Sequence, residues 1–128
     1  MPIGQLLSII EMGGYPDFKN LYKNKGFQVD TASSMRKAIK KLKKNKPDVI
    51  VAEFNFQSDF RDRTSSLESL MATIQGHPET RVIVFYEQQQ RAQLDRLLSV
   101  FEVYRFIPFP VDENLLARAL EHITQEIQ

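Results

Sequence analysis

Lys46-Pro47-Asp48-Val49-Ile50-Val51-Ala52-Glu53 is the stretch that decides the fold. Pro47 closes the helical segment before it, because it lacks an N–H and disfavours a helical residue ahead of it. Val49 to Ala52 then run apolar without alternation, the mark of a strand covered on both faces and therefore of a parallel sheet between helix layers.

Working outward, the same grammar repeats. Upstream, Met35, Ala38, Ile39 and Leu42 mark one helix face amid lysines, with N-cap candidates in Thr31 to Ser34. Before that lie a short strand, Phe27-Gln28-Val29, and a helix carrying Phe18, Leu21 and Tyr22, with Gly26 placed for a left-handed residue at its end. Leu6 to Ile10 form the first strand, closed by Glu11-Met12-Gly13-Gly14. Downstream, Ser65 and Glu68 read as a capping box before Leu67, Leu70, Met71 and Ile74. Arg81 to Tyr86 read as the fourth strand; Leu94, Leu97, Leu98 and Phe101 mark the fourth helix. Tyr104 to Ile107 read as the fifth strand, and Asp112 caps a last helix with Leu116, Ala119, Leu120, Ile123 and Ile127 inward. Five strands alternating with five helices predict a doubly wound α/β domain over residues 1–128, with helices on both faces of a five-stranded parallel sheet. Ligands of such sheets sit at the carboxyl ends of the strands, which directs attention to Glu11, Met12, Glu53, Asn55, Tyr86, Glu87 and Phe109.

Composition narrows the chemistry. The 128 residues are 42% hydrophobic and 26% charged with net charge +1, and they contain no cysteine, which excludes disulfides, thiolate metal sites and cysteine nucleophiles. Apolar runs are too short to span a membrane and the first residues lack a signal-peptide pattern, so a cytoplasmic location without membrane attachment is expected. His77 and His122 stand far apart with no nearby ligand spacing, and Gly13-Gly14 lacks a phosphate-loop pattern, so no metal and no cofactor are expected. Charge is unevenly placed: Lys19 to Lys46 hold ten basic residues and one acid, whereas Pro47 onward holds seven Arg, no Lys and thirteen acids. A Lys-rich side built by the first two helices and an Arg/acid side built by the last two, on different faces of the sheet, are expected.

Gly26 to Ser33 followed by Lys46 to Glu53, together with Tyr104-Arg105-Phe106-Ile107-Pro108-Phe109-Pro110-Val111-Asp112, resemble the response-regulator receiver domain over essentially the whole chain. The resemblance implies a flavodoxin-like sheet of strand order 2-1-3-4-5. It also implies a site in which an aspartate at the end of the third strand accepts a phosphoryl group beside Mg²⁺, an acidic pair after the first strand, a small hydroxyl residue after the fourth and a lysine in the fifth. Here each position departs from that pattern. Glu53 replaces the acceptor, and its extra methylene displaces the carboxylate by about 1.5 Å. Of the acidic pair Glu11 remains, with Met12, a soft thioether, at the metal-facing place. Tyr86 replaces the hydroxyl residue and Phe109 the lysine. The resemblance thus implies a degenerate pseudo-receiver of bacterial two-component-type signalling, free-standing, without catalytic residues or enzyme activity, acting by protein–protein recognition. A cis Phe109–Pro110 bond is also expected.

Glu53 has three readings at this stage: a mimic of phosphoaspartate, a cation ligand with Glu11, or a leftover carboxylate at a solvated sheet end. Tyr86 and Phe109 either fill the vacated pocket or line a crevice for a small planar ligand. In receivers the face made by the fourth helix, fifth strand and fifth helix docks partners or a second copy. There Arg91, Asp95, Tyr104, Arg105 and Arg118 are the candidate contacts, with Arg96 and Glu102 nearby. Phe56, Phe60, Arg61 and Arg63 form a second candidate surface. The alternatives are a divergent phosphoacceptor and a polyanion or nucleic-acid binder through Lys37, Lys40, Lys41, Lys43 and Lys44; the missing interleaved aromatics argue against nucleic acid.

Overall fold

The computed structural model describes residues 3–9, 18–54, 66–77 and 79–127. In chain order they form β1 (Gly4–Ile9), α1 (Lys19–Asn24), β2 (Phe27–Ala32), α2 (Met35–Leu42), β3 (Val49–Glu53) and α3 (Ser66–Ile74). β4 (Arg81–Tyr86), a 3-10 turn (Gln88–Gln90), α4 (Arg91–Leu98), β5 (Arg105–Pro108) and α5 (Glu113–Ile127) follow. The five strands are all parallel, in the order β2-β1-β3-β4-β5. The doubly wound sheet and its expected strand order are therefore found.

β3 is central, and all five of its residues are buried. Its period-two alternation feeds two cores. Ile50 and Ala52 pack with Met35, Ala38 and Leu42 of α2, Leu70 of α3 and Leu94 of α4. Val49 and Val51 pack with Tyr22 of α1 and Leu116, Leu120 and Ile123 of α5. Asp48 ties the sheet together at its start. Its carboxylate accepts from the Gln5 N–H at 2.8 Å, its own N–H donates to the Gln5 carbonyl at 2.9 Å, and its carbonyl accepts from the Arg81 N–H at 3.0 Å.

The expected helix ends are realised where they are described. The Ser34 hydroxyl accepts from the Lys37 N–H at 3.1 Å. The Asp112 carboxylate accepts from the Asn114 N–H at 2.8 Å at the start of α5. Gly26 follows α1 with φ +98°, a conformation that disfavours any Cβ. β2 runs three residues beyond the expected Val29, because the ladder to β1 continues from Gly4↔Phe27 to Ile9↔Ala32 although Asp30 and Thr31 are polar and exposed. β5 is shifted by one residue against the expected span. The capping box at Ser65, the Gly13-Gly14 turn and Phe56, Phe60, Arg61 and Arg63 lie outside the described residues.

The two helix layers require one correction to the expected charge layout. α1 shares a layer with α5, and α2 shares the opposite layer with α3 and α4, so the first two helices do not form one face. Both of them pack on β2. The basic half of the chain therefore gathers at the β2 edge of the sheet, and the polarity runs from edge to edge.

Candidate functional site

At the carboxyl ends of the strands, Glu53 closes β3 in register with Phe85 of β4. Glu53 is only 5% exposed, so the expectation of a carboxylate at a solvated sheet end is corrected. Its position is fixed by alternation: it shares the face of Val49 and Val51, and the next residue, Phe54, is itself buried and donates its N–H to the Phe85 carbonyl at 2.7 Å. Phe85 is contacted edge-on by Phe18 at 6.0 Å and by Phe109 at 5.9 Å between ring centroids. A cluster of three rings, Phe18, Phe85 and Phe109, is thus built around the β4 residue in register with Glu53.

Phe109 follows β5. Its N–H donates to the Tyr86 carbonyl at 2.8 Å and its ring packs, half-buried, in the α1/α5 core. The Phe109–Pro110 bond is cis, as expected. Tyr86 ends β4 on the other face. It has the parity of Val82 and Val84, is 4% exposed, and belongs to the α2/α3/α4 core. Tyr86 and Phe109 therefore lie on opposite sides of the sheet and do not line one crevice, which corrects the expectation that both would point into a single vacated pocket. Glu11, Met12 and Asn55 lie outside the described residues.

The Tyr86 hydroxyl accepts a hydrogen bond from the Arg91 guanidinium at 3.0 Å, and the same guanidinium holds Asp95 at 2.9 Å one helical turn on. Arg91 also lies 4.7 Å from the ring centre of Phe106 and 5.5 Å from that of Tyr86, a cation between two π faces. These bonds hold the Arg91 pKa up, the Tyr86 hydroxyl first and Asp95 next. Phe106 is 38% exposed on β5, an edge strand. Beside it, Arg105 stacks at 4.4 Å on Tyr104, whose hydroxyl lies 3.3 Å from a Glu126 carboxylate oxygen. Burial first, then Glu126, pushes the Tyr104 phenol pKa up, so it stays a neutral donor. Arg118 is exposed on α5.

The structure thus brings Arg91 and Asp95 into one cluster and Tyr104 and Arg105 into another. Asp95 is engaged by Arg91 as an ion pair within the chain. Phe106 is the contact that sequence reading left out. Its signal was present: beside the inward Ile107, strand alternation turns Phe106 to the opposite side, and on an edge strand that side is only partly covered.

No protein-family model matches the chain, and no curated protein matches its sequence. Solved structures do match. A response regulator receiver domain protein from Clostridium thermocellum superposes with a TM-score of 0.75 at 18% identity, covering 95% of this chain and 94% of that one. The fold is the receiver fold. A signal receiver domain of an HD domain-containing protein from Pseudomonas fluorescens Pf-5 gives a TM-score of 0.74 at 16% identity, over 96% and 95% of the two chains. A two-component transcriptional regulator AraC from Clostridium phytofermentans ISDg gives 0.73 at 18%, over 96% and 94%. Among the described residues, no helix of this receiver-fold chain is long and apolar enough to cross a membrane.

Proposed function

We propose that this chain is a signalling module of receiver fold that has lost phosphoryl acceptance and acts by binding other proteins. The observation that carries the reading is the make-up of the strand ends. The acceptor position holds a buried glutamate in register with Phe85, and the position of the lysine holds Phe109, whose ring is engaged with the same phenylalanine. Phosphoryl transfer depends on positioned cations that neutralise the equatorial oxygens. From Pro47 to the last residue the chain has no lysine at all. In this reading the residues at this edge carry no catalytic role.

The chemistry suited to recognition lies elsewhere, on β5 and the helices beside it. Phe106 under Arg91, Arg105 on Tyr104, Arg118, and Leu115 at 47% exposure combine partly exposed apolar surface with guanidinium groups. Arg and aromatic side chains are enriched at protein interfaces. A protein of a two-component-type pathway, or a second copy of the chain, is the partner this face fits.

The test of the lost site is a titration with Mg²⁺ and beryllofluoride, a phosphoryl mimic, followed through backbone amide resonances. The expected result is no saturable shift at Glu53, Phe54, Tyr86 and Phe109. Saturable shifts centred on Glu53 would overturn the reading.

A further inference from the structure

We propose that the groove between α2 and α3 docks an acidic, amphipathic segment of a partner protein, through a surface separate from the β5 face. The groove is open, with a volume of about 780 Å³. Met35 and Ile39 form its apolar floor and Ser69 of α3 its low far wall, while Arg36, Lys40, Lys43 and Lys44 form the rim. These four cations recur at about one-turn spacing along α2 and the turn that follows it, over about 12 Å at a helical rise of about 1.5 Å per residue.

None of the four has an ion pair with a described residue. Elsewhere on the helix, Lys41 holds Asp30 at 3.0 Å and Lys37 donates to Ser33 at 3.1 Å. From Thr31 to Pro47 the chain contains no acid, so nothing within the helix offsets the rim. Lys43 and Lys44 benefit from the helix C-terminus, but Arg36 stands in the first turn, where a cation is disfavoured. Arg36 with Lys40, and Lys40 with Lys44, are like charges four residues apart, which repel. A carboxylate laid along the rim relieves that repulsion.

The floor selects among anionic partners. Among the described residues, the groove lining includes no aromatic ring on which a base could stack. Of the apolar residues of α2, Met35, Ala38 and Leu42 are buried in the core and Ile39 alone is partly exposed, too little apolar surface to insert into a bilayer. What fits is a helical or extended protein segment with carboxylates about one turn apart and an apolar side chain between them to reach Ile39.

The test uses the whole chain and a synthetic helical peptide of about 14 residues, with Glu at one-turn spacing beside Leu, against its Gln-for-Glu counterpart, single-stranded oligothymidylate and phosphatidylserine–phosphatidylcholine vesicles. Amide shifts map the site and fluorescence anisotropy measures affinity at physiological salt. The Glu peptide is expected to shift residues 35–44 and 69–72 and to lose about tenfold in affinity in the Lys40→Glu/Lys44→Glu variant. The Gln peptide is expected to bind far more weakly. Arg105→Glu/Arg118→Glu, which alters the β5 face, is expected to leave this binding unchanged, so failure here and failure of the β5 reading are told apart. Equal binding of the Gln peptide, shifts outside the groove, no binding, or tighter binding of the oligonucleotide or vesicles would each overturn the proposal.

Discussion

Arg91 donates to the Tyr86 hydroxyl at 3.0 Å, five residues along the chain and across the junction between β4 and α4. The bond makes a tyrosine at the end of a buried strand tolerable, because it gives a donor to the phenolic oxygen of a residue that shares its core with Val84, Leu94 and Leu97. It also fixes the guanidinium over Phe106.

Tyr86→Phe is therefore expected to lower stability by about 1 kcal/mol, the net worth of a lost hydrogen bond. Arg91→Ala should cost less in the Tyr86→Phe background than in the wild type, because the two changes remove one shared interaction. Urea unfolding of the four proteins of this double-mutant cycle measures the coupling. Additive losses would show that the two side chains act independently.

Gly26 carries a second prediction. With φ at +98°, an alanine there is strained, and its Cβ would stand 2.8 Å from Cγ1 of Ile3. Gly26→Ala should destabilise by roughly 1–2 kcal/mol. Ile3→Ala in the same chain removes the clash but not the backbone strain, so thermal unfolding should show only partial recovery.

These two sites show how far the sequence could be read. Gly26, Ser34 and Asp112 announced their helix ends because capping chemistry is local. β3 was legible because a continuous apolar run bounded by Pro47 has few other readings. The far half of β2 was not: Asp30 and Thr31 look like a turn, and only the ladder to β1 makes them strand. The separation of Tyr86 from Phe109 was within reach, since Tyr86 is two and four residues from the inward Val84 and Val82. The burial of Glu53 was not, because a carboxylate at the end of a strand reads as solvated and only the packed fold encloses it.

The pH dependence follows from two carboxylates. The Lys41 ammonium, by hydrogen bonding, holds the Asp30 carboxyl below its usual range, and Lys25, bonded at 2.6 Å, does the same for Glu121. Both groups bind protons more weakly folded than unfolded. Their contribution is therefore present above the ordinary carboxylate pKa of about 4 and is lost as pH falls through the lowered folded values. Denaturant unfolding between neutral pH and about pH 3 should show a shallower acid loss in Asp30→Asn/Glu121→Gln than in the wild type. An identical acid limb would contradict the assignment.

On the β5 face, reversing Arg105 and Arg118 to Glu should reduce retention of proteins captured from the native cell by about tenfold, with unfolding midpoints little changed, because both side chains are exposed. Full retention of every partner by both variants would remove that face from the account.

The most direct measurement is intact mass after incubation with Mg²⁺ and a small phosphodonor such as acetyl phosphate, beside a receiver that accepts phosphate. The buried Glu53, the Phe109 ring at the lysine position and the absence of lysine after Lys46 predict an unchanged mass. A stoichiometric gain of about 80 Da, one phosphoryl group, located on Glu53 would contradict it.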